Sequence, residues 1–424
     1  SPSLSWDASG HARTPGLRHA HILILVENLP VPFDRRVWME SLALTEAGYK
    51  VSVISPCPPN EADTPDRAHE GIHMYRYPMP KETKSKLAFF QEFWYCYRQT
   101  RRLVQRVWKE DRFDVIHTCN PPDTFWHIAR LYKPKGVKFV FDHHDLCPEL
   151  YLSKYNKRDL LYRALLWLER KQFETADAVI STNESYRQVA IERGGKRPEQ
   201  VAVVRSGPLL SRFQPVPADP ALKMGRRFLC VYLGVMGPQD GVDYALRAAH
   251  HVVQSGFHDA TFAFIGAGDS FDDLVSLSHD LGMNEFVRFT GRIPDDELKR
   301  YLCTADLGIA PDPKTPLNDL STMNKVVEYM AMGLPVVSFD LKESRVSAGD
   351  AAVYVANDDP RAMGEAIIQL LNDPERRSAM GEVGRARVRD GLAWDHSKVV
   401  LVEFYDRLLG VPPLSRRVRA RRPH

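Results

Sequence analysis

The sequence has no run of 18 or more apolar residues, and its six cysteines stand singly, without a Cys-x-x-Cys pair. The first absence excludes a hydrophobic helix long enough to cross a bilayer. The second removes the usual spacing of zinc and redox motifs and disfavours a disulfide framework. We therefore expect the protein to work in a reduced, cytosolic compartment.

Strong charge of either sign is also missing, because 57 basic residues face 54 acidic ones and leave a net charge of +3. Such a balance argues against a generic nucleic-acid-binding protein. The composition is that of an ordinary globular protein, with 44% hydrophobic and 26% charged residues. At 424 residues the chain is too long for one hydrophobic core and suits two α/β domains.

The first half of the chain alternates apolar strands with helices. Residues 21–26 form a short apolar run typical of a buried parallel strand, and residues 35–47 predict a helix that Gly48 ends. With a second strand at 49–54, this pattern predicts a βαβ unit. Further strands are predicted at 72–77, 114–118, 137–142, 177–182 and 201–205.

The proline-rich loop from Gly207 to Pro220 is the expected domain boundary, after which the alternation restarts. Strands are then predicted at 227–234, 260–266, 286–290, 306–310, 335–339 and 352–355. The predicted fold class is α/β, with two Rossmann-like, doubly wound domains facing a central cleft. The expected bounds are 1–20 for a disordered extension, 21–208 and 209–395 for the domains, 396–412 for a helix crossing back to the first domain, and 413–424 for a basic tail.

Residues 321–339 carry the most specific signal. Ser321 or Thr322 is a suitable N-cap for a helix of about three turns, and Gly333 ends that helix before a strand. The first turn of a helix offers free backbone N–H groups and about half a positive charge, which suits an anion. Glu328 lies further along, where its carboxylate can bind a hydroxyl. The pattern indicates a diphosphate at the helix start and a sugar hydroxyl over Glu328.

This arrangement resembles the donor-binding helix of GT-B glycosyltransferases of the retaining family 4. Other segments similar to that family follow in the family's order, at residues 113–117, 141–145, 203–207, 264–268 and 289–292. The resemblance extends from about residue 21 to residue 412. It implies the GT-B fold, with an N-terminal acceptor domain and a C-terminal donor domain. It also implies a nucleotide-diphosphate sugar as substrate, no cofactor and no metal required in the site.

The resemblance further implies a retaining transfer on one face of the sugar, in which the leaving diphosphate takes the proton of the acceptor. No pair of carboxylates of the kind that hydrolytic glycosidases need stands out in the sequence. This absence agrees with a transferase that positions substrates and stabilises phosphate charge.

The donor residues implied by the resemblance lie in the second domain, with Glu328 and Lys325 as catalytic residues. Two family features are missing, since Leu320 stands where the family has a first glutamate, and residues 233–243 lack an Arg and Lys clamp. Either Asp319 serves the sugar or the sugar is held differently, and Lys325 is favoured over Arg205 and Arg292 as the replacement clamp. A structural Glu328 and a solvated Lys325 are the alternatives. The remaining expected donor-binding residues are Gly234, Gly237, Gly266, Gly268, Ser321, Thr322, Met323 and Asn324.

His144 is the expected catalytic residue on the acceptor side, because it matches the family's motif histidine that faces the transferred sugar. An imidazole there can donate to a sugar hydroxyl or polarise the acceptor. A capping or core role for the histidines, and metal binding by their cluster, are the alternatives. The other acceptor-side residues are expected to be Asp34, His117, Asn120, His143, Asp145 and Glu149.

Residues 81–112 alternate basic and aromatic side chains, among them Trp94 and Arg98. Such a helix either lies on an anionic bilayer beside a lipid-linked acceptor or packs its aromatic rings on its own domain. The expected localisation is cytoplasmic, with peripheral attachment to the cytoplasmic membrane face left open. The expected partners are a nucleotide sugar and a lipid-linked or small-molecule glycan acceptor, with no nucleic acid.

The hypothesis from the sequence is a retaining hexosyltransferase (EC 2.4) that transfers a sugar from a nucleotide-diphosphate sugar to an acceptor hydroxyl. Its product belongs to exopolysaccharide, another cell-surface glycan or a glycosylated metabolite. Two alternatives are a non-catalytic GT-B scaffold and a GT-B sugar-nucleotide epimerase, which forms product without an acceptor.

Overall fold

The computed structural model describes residues 19–57, 66–79 and 86–412, with the side chains of the last range from residue 90 onward. The predicted basic tail, and all but two residues of the predicted N-terminal extension, lie outside the described residues. The chain divides into two compact units. The first comprises the described residues of Ser1–Pro148, Lys157–Val204 and Lys398–His424, and the second comprises Glu149–Asn156 and Arg205–Ser397.

The first unit is built on an eight-stranded sheet. Its strands are β1 (His21–Leu25), β2 (Lys50–Cys57), β3 (Asp66–His69), β4 (Ile72–Pro78), β5 (Val115–Cys119), β6 (Lys138–His143), β7 (Ala178–Ser181) and β8 (Val201–Val203). Their order is β3-β4-β2-β1-β5-β6-β7-β8, and every pair is parallel except β3 with β4. The helices of this part of the chain are α1 (Arg35–Glu46), α2 (Lys86–Glu110), α3 (Trp126–Ala129), α4 (Cys147–Tyr155), α5 (Leu160–Thr175) and α6 (Glu184–Glu192).

Helix α1 shows how local signals place the first unit's polar residues. The Asp34 carboxylate accepts from the Val37 amide at 3.2 Å, so it caps the helix that follows β1. The buried face of α1 carries Val37 and Leu44, but also the charged residues Arg36 and Glu40. Two charged side chains on a buried helix face need partners inside the unit.

The second unit is built on a six-stranded parallel sheet. Its strands are β9 (Phe228–Leu233), β10 (Ala260–Ile265), β11 (Val287–Gly291), β12 (Leu307–Ala310), β13 (Val336–Phe339) and β14 (Ala352–Val355). Their order is β11-β10-β9-β12-β13-β14, which is the Rossmann order with its reversal between β9 and β12. The helices of this part of the chain are α7 (Val242–Gln254), α8 (Phe271–Asp280), α9 (Asp295–Thr304), α10 (Pro316–Leu320), α11 (Asn324–Ala331), α12 (Lys342–Ala348), α13 (Pro360–Leu371) and α14 (Pro374–Arg387). The last helix, α15 (Trp394–Leu408), belongs to the first unit from Lys398 onward.

Both faces of the second sheet are covered. One hydrophobic core contains Phe262 and Ile367. A second core, formed by the alternate residues of the same strands, contains Val231 and Tyr329. This explains why the strands of this unit read as nearly continuous apolar runs. Ligands of such sheets bind at the carboxyl ends of the strands next to the point of reversal.

The predicted fold class, two α/β domains with parallel sheets, is confirmed. Strand β3 was not expected, because its sequence Asp-Arg-Ala-His is polar and the strand lies at the sheet edge. The domain boundary was predicted between residues 208 and 209, and the structure divides the chain between Val204 and Arg205. Residues 149–156 group with the second unit, and residues from Lys398 onward group with the first.

The predicted N-cap of the Glu328 helix is wrong. Helix α11 begins at Asn324, its N-cap is Met323, and that residue makes no side-chain capping bond. The reason is the short helix α10, which the sequence did not reveal, because the Ser321 hydroxyl donates back to the Leu317 carbonyl at 2.8 Å. Ser321 therefore closes α10 instead of opening α11. Among the described residues, no helix is both long and apolar enough to cross a membrane.

Candidate active site

Asp142 is the centre of a buried polar network in the first unit. It lies on β6 with no exposed surface, and its Oδ2 is 2.7 Å from His144 Nε2 and 3.0 Å from His117 Nε2. Burial alone would raise the pKa of Asp142, but Arg36, followed by His144 and His117, lowers it well below its usual range. Asp142 is therefore an ionised carboxylate that accepts hydrogen bonds from every basic neighbour.

Arg36 and Glu40, one turn apart on α1, complete the charge balance. Arg36 donates from Nη2 to Asp142 Oδ1 at 3.0 Å and from Nη1 to the Val204 carbonyl at 2.7 Å. Its Nε lies 3.0 Å from Glu40 Oε1. Burial and the nearby Asp142 charge raise the pKa of Glu40, although Arg36 opposes this shift. The planar guanidinium thus joins two buried carboxyl groups.

His117, on β5, links this network to helix α15. Its Nε2 approaches Asp142, and also Glu40 Oε2 at 3.4 Å, while its Nδ1 lies 2.7 Å from the Tyr405 hydroxyl. Burial alone would lower the pKa of His117, but the bonds to Asp142 and Glu40 raise it to about 9. His117 is therefore an imidazolium at neutral pH, held on both sides.

His144 is the member of the network that reaches solvent, with 15% of its side chain exposed. Its Nε2 lies 2.7 Å from Asp142 Oδ2 but also 3.1 Å from Arg36 Nε, and one nitrogen cannot serve both groups. The shorter contact to a carboxylate is the stronger one, so we assign the proton of His144 to Nε2. Burial lowers the pKa of His144, but Asp142 outweighs this and raises it above its ordinary value. The assignment leaves Nδ1 of His144 for a substrate.

Asn120 holds the turn that carries His144. Its Oδ1 accepts from the His144 amide at 2.6 Å and from the Asp145 amide at 3.1 Å, and its Nδ2 donates to the Asp145 carbonyl at 2.7 Å. Asn120 therefore shapes the backbone at this site. Burial raises the pKa of Asp145, with Asp34 acting in the same direction and His144 against it. The structure thus brings Asn120, Asp145 and His117 together around His144.

Two expected acceptor residues are placed elsewhere. His143 is fully buried, with its ring between those of Phe141, Phe173 and Tyr186, and burial lowers its pKa to about 3. Successive residues of a strand face opposite sides, so His143 belongs to the core and not to the His144 network. Glu149 is nearly buried on α4 and groups with the second unit, where Ser153 Oγ accepts from the Leu317 amide at 3.1 Å.

The network contains possible metal-binding groups, since ligand atoms of His117, Cys119 and Asp142 lie within 4.8 Å of one another. A second such set is Glu40, Asp142 and His144. Arg36 already supplies a cation to both carboxyl groups. Burial and then Asp142 raise the pKa of Cys119 well above its usual value, so the thiol keeps the proton that a metal would have to displace. We therefore assign no metal ligands here.

In the second unit, two glycine turns pack against each other at the carboxyl ends of β9 and β10. A Cβ on Gly266, whose φ is 135°, would collide with the Gly234 carbonyl, and one on Gly268 would lie 2.6 Å from the Met236 carbonyl carbon. The Met236 amide donates to the Ala267 carbonyl at 3.1 Å. The turns form one backbone surface, which phosphate groups can approach closely. Gly237, in the first turn, donates its amide to Asp240 Oδ2 at 2.7 Å.

Lys325 lies beside these turns. An added Cβ on Gly234 would be 3.2 Å from Lys325 Cε, and Lys325 Nζ lies 5.6 Å from the centre of the Tyr232 ring. The ammonium group pairs with Asp312, at 2.7 and 2.9 Å from its two oxygens, and both side chains are largely buried. The alternative of a solvated lysine therefore does not describe Lys325. Asp312 follows β12, so this ion pair lies at the point of strand reversal.

Glu328 lies one turn after Lys325 on α11, half-buried among apolar neighbours. Burial raises its pKa to about 7, although Arg212 and Lys325 act in the opposite direction. Arg212 itself pairs with Asp295 at 2.5 and 2.8 Å. Glu328 thus has a partly desolvated carboxyl group that hydroxyl groups could bind.

The other expected donor residues have varied positions. Asp319 Oδ1 accepts from the Lys342 amide at 2.9 Å and lies 3.9 Å from Lys314, so it caps α12 in this structure. Arg205 is half-buried at the start of the second unit, and Arg292 is exposed after β11. Thr322 is half-buried and Asn324 exposed, next to the Met323 cap.

Sequence reasoning missed Arg36, Glu40, Tyr405 and Asp312 as site residues. A signal for the first two was available, because they lie four residues apart on the otherwise apolar face of a predicted helix. Tyr405 and Asp312 had no such signal. They are far in sequence from His117 and Lys325 and become their partners only in the fold.

Two sequence-family models match the chain. One, described as a glycosyl transferase 4-like domain, matches residues 34–207, and the other, described as glycosyl transferases group 1, matches residues 227–373. Together they include β5, β6 and α1 of the first unit and β9 to α11 of the second.

Relatives and solved structures agree with these matches. The chain is 26% identical over 401 residues to the phosphatidyl-myo-inositol mannosyltransferase of Mycolicibacterium smegmatis, covering 93% of this chain and 91% of that protein. It is 26% identical over 327 residues to the D-inositol 3-phosphate glycosyltransferase of Thermobispora bispora, covering 72% and 73%. Sucrose-phosphate synthase from Thermosynechococcus elongatus superposes with a TM-score of 0.77 at 18% identity, covering 93% of this chain and all of that one.

The predicted recognition and enzyme class are therefore confirmed. With a family model on each of its two parallel-sheet units and GT-B structural neighbours, this chain belongs to the GT-B glycosyltransferases of the family 4 type and is a hexosyltransferase of EC class 2.4.

Proposed function

We propose that the protein is a retaining transferase that moves a sugar from a nucleotide-diphosphate sugar to an acceptor hydroxyl during synthesis of an exopolysaccharide or another lipid-linked cell-surface glycan. The observation that carries the proposal is the convergence of the glycine turns, Lys325 and the start of α11 in the second unit. Backbone amides, a helix start and a single ammonium group are chemically suited to a diphosphate.

In this proposal the diphosphate lies on the turns at Gly234 and Gly266, and Lys325 exchanges one Asp312 oxygen for a phosphate oxygen. The nucleoside ribose then places its hydroxyls on Glu328. Binding two hydroxyl groups favours the ionised carboxylate, so the pKa of about 7 that burial gives Glu328 falls when the donor binds. The ammonium and the backbone dipoles stabilise the leaving diphosphate.

His144 supplies the acceptor side of the proposed reaction. With Nε2–H on Asp142, its Nδ1 orients a sugar or acceptor hydroxyl, and the leaving diphosphate takes the acceptor's proton. We propose that this step needs no metal and no cofactor. Two ion pairs support that part of the proposal, because Arg36 supplies a cation to Asp142 and Lys325 supplies one to Asp312, where a metal would otherwise balance a buried carboxylate.

Two observations support the proposed class of acceptor. The relatives named above act, by their names, on inositol phosphate and phosphatidyl-inositol, which are a small molecule and a lipid. Helix α2 exposes Phe90 and Trp94 beside Arg98 and Arg102. An exposed aromatic and basic helix face favours attachment to an anionic membrane surface. We therefore propose a lipid-linked acceptor at the cytoplasmic membrane face, with a small polyol phosphate as the second candidate.

A panel of sugar nucleotides in a thermal-shift assay tests the donor, because a ligand of the folded state raises the melting temperature. Product formed from the best donor only when a lipid or polyol acceptor is added supports the transferase, and an α-linked product from an α-linked donor supports retention. Sugar conversion without acceptor would favour the epimerase. Absence of binding across the panel would favour the non-catalytic scaffold.

Co-sedimentation with vesicles tests the membrane part separately. Vesicles that contain anionic phospholipid are expected to pellet the protein, and a Trp94→Ala, Arg98→Gln variant is expected to stay in solution. Neutral vesicles are the control. Equal recovery with both kinds of vesicle would remove the membrane proposal and leave the transferase untouched.

A further inference from the structure

Helix α15 contacts the His144 network through the side chain of Tyr405. Tyr405 is fully buried, its hydroxyl lies 2.7 Å from His117 Nδ1, and its ring stacks on the imidazole with centroids 6.2 Å apart and planes 6° apart. His117 and His144 then meet the same atom, Asp142 Oδ2, at 3.0 and 2.7 Å. A continuous chain of contacts therefore runs from Tyr405 through His117 and Asp142 to His144.

The order of protons along this chain follows from Asp142. An ionised carboxylate only accepts hydrogen bonds, so both imidazoles present Nε2–H to it. When His117 is an imidazolium, its Nδ1–H donates to the Tyr405 oxygen. When His117 is neutral, Nδ1 accepts and Tyr405 donates. A tyrosine hydroxyl serves both states by rotating, whereas a phenyl ring serves neither.

We propose that Tyr405 is a positioning residue that acts on His144 through His117 and Asp142, and that helix α15 thereby sets the protonation of the reactive histidine. The role of His144 in this proposal rests on the function proposed above, but the state of His144 can be measured without turnover.

The direction of the effect follows from the shared carboxylate oxygen. A charged His117 partly neutralises Asp142 and also repels a second proton on His144, so both effects make protonation of His144 less favourable. Without the Tyr405 hydroxyl, the buried Nδ1–H of the imidazolium has no acceptor, which makes the charged form of His117 less stable. His117 then becomes neutral at a lower pH, Asp142 acts more fully on His144, and His144 holds its proton to a higher pH.

Other charged and titratable groups also surround the two histidines. They come from α1, from β5, from β6 and from the neighbouring loops: Arg36, Glu40, Cys119, His143, Asp34 and Asp145. None of them contacts the Tyr405 hydroxyl in a hydrogen bond that the structure describes. A Tyr405→Phe substitution therefore leaves these charged and titratable groups unchanged and removes one hydrogen-bond partner of His117.

The chain offers a matched control in Tyr49. Its hydroxyl is also buried and donates to Asp406 Oδ1, on α15, at 2.7 Å, and its ring lies 6.0 Å from that of Tyr405. Tyr49→Phe and Tyr405→Phe each remove one buried hydroxyl that joins α15 to the rest of the first unit. Only the second change touches His117. A purely structural role for Tyr405 therefore predicts the same result for both variants.

The experiment is an NMR titration of ring-labelled histidines in the full chain, with the His144 signal assigned from a His144→Gln variant. In Tyr405→Phe the midpoint of His144 is expected to rise by on the order of half a pH unit, with no change in Tyr49→Phe. An equal midpoint in the two variants would overturn the proposal. His117→Gln, which keeps a neutral donor toward Asp142, is expected to raise the His144 midpoint too. An unchanged midpoint in this variant would overturn the proposal even if Tyr405→Phe does not fold, because the effect of Tyr405 is proposed to pass through His117.

Turnover gives a second readout. The pH at half-maximal kcat is expected to move upward in Tyr405→Phe, while KM for the nucleotide sugar stays within about twofold, because the donor pocket lies in the second unit. A lower kcat without a shift in pH would mean that the hydroxyl is only structural. If the wild type turns over no donor at all, the proposed function fails, yet the titration still decides whether Tyr405 controls His144.

Discussion

The two side chains that we propose to be reactive, His144 and Lys325, are held in different ways. In the first unit, His144 rests on Asp142, which Arg36 and His117 also contact, so the carboxylate has fixed partners on all sides. In the second unit, Lys325 has one carboxylate partner, Asp312, which binds it through both oxygens. In the proposed function, the partners of His144 are in place before substrate binds, whereas Lys325 has to exchange a partner when a diphosphate binds. The imidazole of His144 is therefore preorganised, whereas the ammonium group of Lys325 can change its partner.

The balance of acidic and basic side chains also differs between the two sites. Two carboxyl groups of the first network meet the cations Arg36 and His117. Near Lys325, both Asp312 and Asp240 are present, and burial, followed by the Asp312 charge, raises the pKa of Asp240 against the effect of Gly237 and Lys325. In the proposed function, a diphosphate at this site meets acidic side chains as well as one cation, and the donor has to compete with Asp312 for Lys325.

The largest effect is expected when the first site loses its centre. Asp142→Asn leaves Arg36 and His117 without their buried carboxylate, so the free energy of unfolding should fall by about 3–5 kcal/mol. Because the Nε2–H of His144 also loses its charged acceptor, kcat should fall by a factor on the order of 10²–10⁴. Urea unfolding and initial rates below the new melting temperature measure the two effects. Asp280→Asn, at an exposed position on α8, is the control and should change neither.

The next effect tests the second site by removing its cation. Lys325→Ala should lower kcat/KM for the donor by about 100- to 1000-fold, because the leaving diphosphate loses its ammonium partner. Steady-state kinetics with the preferred sugar nucleotide measure it. Lys342→Ala, at an exposed lysine on α12, is the matched control and should behave like wild type. Equal rates for the two variants would show that Lys325 does not contact the diphosphate.

The pH dependence of stability distinguishes the buried network from an ordinary set of ion pairs. The pKa of His117 is about 9 in the folded protein, above its ordinary value of 6.5. The folded state therefore binds this proton more tightly, and the stabilisation is complete below pH 6.5 and is lost as the pH rises through 9. The loss should amount to about 3 kcal/mol of unfolding free energy. Urea titrations between pH 6 and 10 measure it, and His117→Gln should remove this part of the slope.

The smallest effect is expected when Lys325 is released from its carboxylate partner. Asp312→Asn removes the carboxylate that competes for Lys325, so KM for the donor should fall by about three- to tenfold. The same change should lower stability, because Asp312 and Lys325 form a largely buried pair. A raised KM would show instead that Asp312 orients Lys325 for the donor.

Much of the fold could be predicted from local patterns. Apolar runs such as residues 21–26 and 260–265 have few polar side chains, as is typical of parallel strands buried on both faces. Predicted strand limits agree with the structure to within a few residues in both sheets. Helix α10 was missed because Pro316–Leu320 is too short to show a helical period, and this error moved the predicted N-cap to Ser321 and Thr322.

The candidate site could be predicted only in part. His144 and Lys325 stand in recognisable segments, and the structure gives each a buried carboxylate partner. Asp319 was expected near the donor sugar, and in the structure it accepts from the first amide of α12. His143 lies in the core. A pair of adjacent histidines does not show which of them faces which side of the sheet. These placements depend on register and on neighbours that are distant in sequence.

The sequence by itself determined the class of fold, the division into two units and the segments that hold reactive side chains, because those features follow from local periodicity and turn residues. Only the tertiary structure decided the partners. Tyr405 meets His117 across 288 positions of the chain, and Asp312 meets Lys325 through the order of strands in a sheet. Proton affinity and charge pairing depend on distances of about 3 Å between such groups, and no local pattern encodes those distances.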